Sequence, residues 1–147
     1  AVAPDSQPEV IQAQVIDIIQ RYLESKETIF GKQILTAQYD PQSAMDQIET
    51  FFTGAALIQT KESVKGLQKS QSYYTYGELE IGVPKEFTAN ETLAIVKLCI
   101  DQDITLYENN KRSDEDIDGT GLWQFTLSQV EGTWKINNRR EVGNCSP

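Results

Sequence analysis

The spacing of apolar residues changes once along the chain. Up to about residue 70 they recur at three and four positions, the period of a helix with one buried stripe; beyond it they alternate, the period of a strand. Val10, Ile11, Val15, Ile18, Ile19, Tyr22 and Leu23 predict a first helix from Glu9 to about Ser25 or a few residues beyond, with Gly31 as its stop. Asp40-Pro41 is a start signal, a capping carboxylate before a proline suited to the first helical position. Ala44, Met45, Ile48, Phe51 and Phe52 form the apolar face of a second helix, which Thr53-Gly54 ends. Ala55, Leu57, Ile58, Val64 and Leu67 predict a third, ending near Gly66.

From Ser72 the alternation sets in. Leu79, Ile81 and Val83 fall on one face and Glu78 and Glu80 on the other, and Pro84 closes the strand. In strict alternation Tyr74 and Tyr76 share the wetter face with the glutamates, and Tyr73 goes with Leu79 and Ile81, unless Gly77 marks a bulge. Thr92–Asp101 is apolar throughout except for Lys97, which predicts a central strand. Ile104–Tyr107 continues it, as a bend or a further strand, and Glu108–Gly121 reads as an acidic loop. The strongest signal is Gly121–Arg139. Trp123, Phe125 and Leu127 alternate with polar residues, Glu131-Gly132 supplies a turn, and Trp134 and Ile136 alternate again. This antiparallel hairpin carries both tryptophans and should organise the core. A polar tail follows from Glu141. Helices first and antiparallel strands second predict an α+β fold with the helices on one face of the sheet. The expected domain is 9–141, with a loose leader at 1–8 and a tail at 142–147.

Composition narrows the chemistry. The 147 residues are one domain's worth, and 39% hydrophobic with 24% charged residues is ordinary for a globular protein. No apolar run approaches the roughly 20 residues of a membrane span, so direct insertion of this domain is not expected. The chain opens Ala1-Val2-Ala3-Pro4 without Met and reads as a trimmed or processed fragment. A net charge of −9 repels nucleic-acid and lipid phosphates; maintaining solubility is its expected role, and a basic or hydrophobic peptide partner is the functional alternative. The absence of histidine excludes Ser-His-Asp and Cys-His catalysis and every His-ligated metal site. Cys99 reads as a buried small hydrophobe; a disulfide with Cys145 would require an oxidising compartment, and the free thiol is the favoured reading.

Asp114–Gly119 spells D-x-D-x-D-G, the opening of a calcium loop, but the twelfth position is Phe125 where a bidentate Glu belongs. A solvated acidic loop is the expected reading, and neither a metal nor a cofactor is expected. Lys97 either snorkels to solvent or meets a partner's carboxylate. Arg139 and Arg140 are expected to be solvated at the end of the last strand.

Several stretches resemble one family. Ile19-Gln20-Arg21-Tyr22-Leu23 with Ser25-Lys26 resembles its first-helix motif, and Phe52-Thr53-Gly54-Ala55-Ala56-Leu57 its "Leu-Thr-Gly" helix junction. Tyr73–Tyr76 resembles its aromatic first strand, and Leu106-Tyr107-Glu108-Asn109 its "Leu-Tyr-x-Asn-Gly" turn, with Lys111 taken as standing at the usual glycine. Leu122-Trp123-Gln124-Phe125 and Gly132–Ile136 resemble its closing strands. The family is the C-terminal intermembrane-space domain of the plastid-division proteins, shared with cyanobacterial cell-division relatives, and the resemblance covers about residues 10–140. It implies a nuclear transport factor 2-like cone, its helices packed on a curved antiparallel sheet. It also implies a non-catalytic module held outside the membrane, in a periplasm or plastid intermembrane space, on a longer anchored protein. Such domains bind the tail of a partner membrane protein.

The expected function is therefore protein–protein interaction, with a partner peptide entering the cone mouth. Tyr74, Tyr76, Lys97, Trp123 and Phe125 are the expected partner-binding residues, although core packing is the competing reading for Trp123 and Phe125. The alternative is a small-molecule binder, or a lyase- or isomerase-type enzyme, using the same cavity with Asp101 or Asp103 as base.

Overall fold

The computed structural model describes residues 8–113 and 120–145. The leader before Pro8 and the Asp114–Gly119 segment lie outside the described residues.

The first helix, α1 (Pro8–Glu24), buries Ile11, Val15, Ile18, Ile19, Tyr22 and Leu23, the apolar stripe of the sequence. Ser25 interrupts it: its hydroxyl donates to the Arg21 carbonyl at 2.7 Å, competing with the helical ladder. A short α2 (Lys26–Phe30) and a 3₁₀ turn (Lys32–Leu35) follow, separated by Gly31. Asp40 caps α3 (Pro41–Phe51) as expected, accepting from the Gln42 N–H at 3.0 Å, with Pro41 in the first turn. The final helix is α4 (Gly54–Lys69).

Among the described residues, six strands form one antiparallel sheet: β1 (Ser72–Ile81), β2 (Glu86–Ala89), β3 (Leu93–Glu108), β4 (Lys111–Arg112), β5 (Gly121–Val130) and β6 (Thr133–Gly143). The order is β1-β3-β5-β6, with β2 and β4 also paired to β3. The long β3 is central, and Ile104–Tyr107 is its continuation rather than a separate strand. The helices cover one face of the sheet. Val15, Ile19, Phe52, Val96, Leu98, Phe125, Leu127 and Ile136 are at most 2% exposed and form the centre of the core. Trp134 is buried too, its indole N–H donating to Gln14 Oε1 at 3.2 Å.

Two irregularities in the ladder decide which side chains face the helices. Between Tyr76, opposite Ile104, and Leu79, opposite Gln102, two residues of β1 face the single Asp103. This is the bulge that Gly77 signals, and the buried Gln102 amide donates to the Gly77 carbonyl at 3.0 Å. Alternation changes phase there. Tyr74 and Tyr76 consequently share the inner face with Leu79 and Ile81 and pack against the core, while Glu78 and Glu80 stay exposed. Val83, expected on that inner face, lies past the end of β1 and is exposed. The second bulge is in β6, where Ile136 pairs with Leu127 but Asn138 pairs with Thr126, leaving Asn137 extra. Without it Arg139 would point away from the helices; with it Arg139 faces them, opposite Phe125. The expectation of a solvated Arg139 fails for that reason.

Three other expectations are corrected. Cys99 is bonded to Cys145, with Cα atoms 5.7 Å apart, and it is half-buried on the outer face of β3 rather than enclosed in the core. The last strand runs on to Gly143, so the segment from Glu141 is ladder and not tail. The turn after β3 places Asn109 and Asn110 in the left-handed region, with φ of 52° and 66°; the glycine-like position is Asn110, and Lys111 already belongs to β4.

Candidate functional site

The sheet and the helix layer enclose a cavity of about 570 Å³. Tyr22, Leu23, Lys26 and Phe30 line it from α1 and α2, and Ser63, Gly66, Leu67 and Ser70 from the end of α4 and just beyond. The sheet contributes Tyr74, Tyr76, Ile100, Ile104, Trp123, Phe125 and Arg139. The volume lies in the range of small-ligand pockets, and the walls are mainly aromatic and aliphatic.

Four of the five residues singled out from the sequence meet here: Tyr74, Tyr76, Trp123 and Phe125. Phe125 is enclosed at the base, while Trp123 is half-buried in the wall. Lys97 is elsewhere. It projects from the outer face of β3 and pairs with Glu86 of β2 at 3.2 Å. Asp101 and Asp103 do not line the cavity either; both are exposed, and Asp101 accepts a hydrogen bond from Thr120.

The sequence reading missed the two cations that do line it. Arg139 lies against two aromatic rings, its guanidinium 4.8 Å from the Phe52 centroid and 5.2 Å from that of Tyr22. Its Nη1 donates to Thr60 Oγ1 at 3.2 Å. Thr60 is fully buried in α4 and itself donates to the Ala56 carbonyl at 2.7 Å, so α4 fixes where the guanidinium sits. Lys26 stands with its ammonium 5.0 Å from the Tyr76 ring centroid. Burial, reinforced by the positive charge of Arg139, pulls its pKa down to about 8. Burial pushes the Tyr76 and Tyr22 phenols up, so both stay protonated well into alkaline solution. No Asp or Glu is among the described residues that line the cavity. One signal in the sequence bears on Lys26: it continues the apolar stripe of α1 one turn beyond Tyr22. Arg139 has none, because its facing depends on the Asn137 bulge.

The ARC6-like IMS-domain family matches residues 16–137 of this chain. The chain belongs to that family. As a solved structure, the intermembrane-space region of the chloroplast protein ARC6 superimposes on this ARC6-like IMS domain with a TM-score of 0.71. It is 13% identical, over 96% of this chain and 100% of that one. The beta subunit of a putative aromatic-ring-hydroxylating dioxygenase from Novosphingobium aromaticivorans aligns with a TM-score of 0.55 at 12% identity, covering 95% and 92% of the two chains. The Kfla4162 protein from Kribbella flavida gives 0.51 at 9% identity, over 93% of each. At these identities the likeness is one of fold, and the fold is the nuclear transport factor 2-like arrangement of helices on a curved antiparallel sheet. No curated protein matches the chain.

Proposed function

We propose that this ARC6-like IMS domain is a non-catalytic interaction module whose cone cavity receives a segment of a partner protein. The observation that carries the reading is the wall itself: an aromatic cavity holding Tyr74, Tyr76 and Trp123, with no described carboxylate to act as a general base. Rigid aromatics in a concave site are the usual anchors of protein recognition. The enzyme reading required Asp101 or Asp103 in the cavity, and both lie outside it. Family membership supports a division-related role on a membrane-anchored cyanobacterial or plastid protein. The Cys99–Cys145 bond supports an oxidising, extracytoplasmic setting. Among the described residues no helix is long and apolar enough to cross a membrane.

The test is affinity capture from a cyanobacterial or plastid membrane extract with the native domain and with Tyr76→Ala, both checked for unchanged circular dichroism. A partner retained by the native domain should be lost or strongly weakened with Tyr76→Ala. Equal capture of the same partners by both proteins would remove the cavity from the interaction.

A further inference from the structure

Two cations in an apolar cavity without a described counter-charge call for an explanation. The chain carries 22 acidic residues against 13 basic ones, yet none of the described acids lines the cavity and both Lys26 and Arg139 do. Moving a charge out of water is costly unless it is paired. The drop of the Lys26 pKa to about 8 is that cost expressed as proton affinity. Among the described residues Arg139 makes no ion pair. Rings lie against its guanidinium, Nη1 is engaged by Thr60, and among the described residues that is its one hydrogen bond. The remaining N–H donors have the fork geometry that suits a carboxylate.

We infer that Lys26 and Arg139 form a carboxylate-binding site in the cavity wall, which takes an organic monoanion whose apolar body lies against Tyr74, Tyr76 and Trp123. A free aryl or alkyl acid satisfies this chemistry, and so does an acidic group on a docked protein segment. The site does not depend on the docking proposal, because a small acid would occupy it with no partner present. It also reverses what the net charge of −9 suggests: the exterior favours basic partners, whereas the cavity selects an anion.

Lys26 is the group whose charge changes near neutrality. Around it stand Tyr22 of α1, Tyr74 and Tyr76 of β1, Arg139 of β6 and the exposed Glu27 beside it on α2. Arg139 stays charged throughout, and the Tyr22 and Tyr76 phenols stay neutral because burial raises them. Anion affinity should therefore fall as pH rises through about 8.

The experiment is calorimetric titration of the intact domain with phenylbutyrate and, separately, with its uncharged primary amide. Phenylbutyrate should bind and the amide should bind at least about tenfold more weakly, the scale of a charge-assisted hydrogen bond. Lys26→Met should cost a similar factor at pH 7 and abolish the pH dependence, and Arg139→Lys should weaken binding by removing the fork. Lys26→Met removes a desolvated charge, so it should fold at least as stably as the native chain and keep the test interpretable. Equal binding of acid and amide, no binding of the acid at millimolar concentration, or unchanged affinity in both variants would each overturn the site. A partner bound through Tyr76 alongside any of these results would leave docking intact. Acid binding with no Tyr76-dependent partner would leave the carboxylate site intact instead.

Discussion

Gly54 carries more of the architecture than its size suggests. Its φ of 58° lies in the left-handed region and turns the chain from α3 into α4. The turn brings the Thr53 N–H onto the Ile136 carbonyl at 2.9 Å and sets Phe52 beside β6, at the centre of the core. A side chain there would face backbone strain of about 1–2 kcal/mol. Its Cβ would also lie 3.3 Å from Asn137 Oδ1, at the β6 bulge. Gly54→Ala should accordingly lower the unfolding free energy by at least about 1–2 kcal/mol in urea titration, and an unchanged midpoint would mean the turn relaxes at no cost. The Phe52-Thr53-Gly54 stretch was legible in the sequence as a helix boundary because glycine marks such turns. That it pins the helix layer to the last strand was not, since Phe52 and Thr53 meet Ile136, far along the chain, and no local pattern encodes it.

Elements were legible to the extent that one period holds along them. The stripes of α1, α3 and α4 and the β5–β6 hairpin follow directly from spacing, because burial on one side of a helix or strand leaves a regular mark. The bulges in β1 and β6 break that regularity. Each shifts the phase by one residue, and each shift turns toward the cavity side chains that strict alternation would put on the opposite face: Tyr74 and Tyr76 in one case, Arg139 in the other. Gly77 announces the first; Asn137 gives no comparable sign of the second. The two-residue-period reading therefore identifies the aromatic wall only conditionally and loses the cation. At this scale α4 and β6 are coupled through one hydrogen bond, Arg139 Nη1 to the fully buried Thr60 hydroxyl. Thr60→Val keeps the shape and removes the acceptor, which should cost about 1–2 kcal/mol of stability by leaving the Nη1 donor unsatisfied. An unaltered denaturation midpoint would show that water replaces the threonine without loss.

Across the whole molecule, the disulfide is a covalent constraint that the sequence left as the less favoured alternative. Cys145 follows β6 by two residues, past Gly143 opposite Leu122, and crosses β5 to reach Cys99, which itself pairs with Leu122 on the other side. The apolar neighbours of Cys99 in the sequence suggest a core thiol, but alternation puts it on the outer face, where a bond across the sheet is possible. Closing a loop with a sequence separation of 46 restricts the unfolded chain enough to contribute about 3–4 kcal/mol. The Cys99→Ala/Cys145→Ala variant should lose about that much in guanidinium titration, and the native domain in strong reductant should match it; equal stability with and without the bond would refute the estimate. The connection also fixes how tension would travel. A pull on the carboxyl end enters the domain at β3, the middle of the sheet, and must shear its neighbours on both sides together. Once the sulfurs are reduced, the same pull reaches β6 first and can unzip it from the edge one rung at a time. The domain thus behaves as a stiff link when oxidised and as a yielding one when reduced.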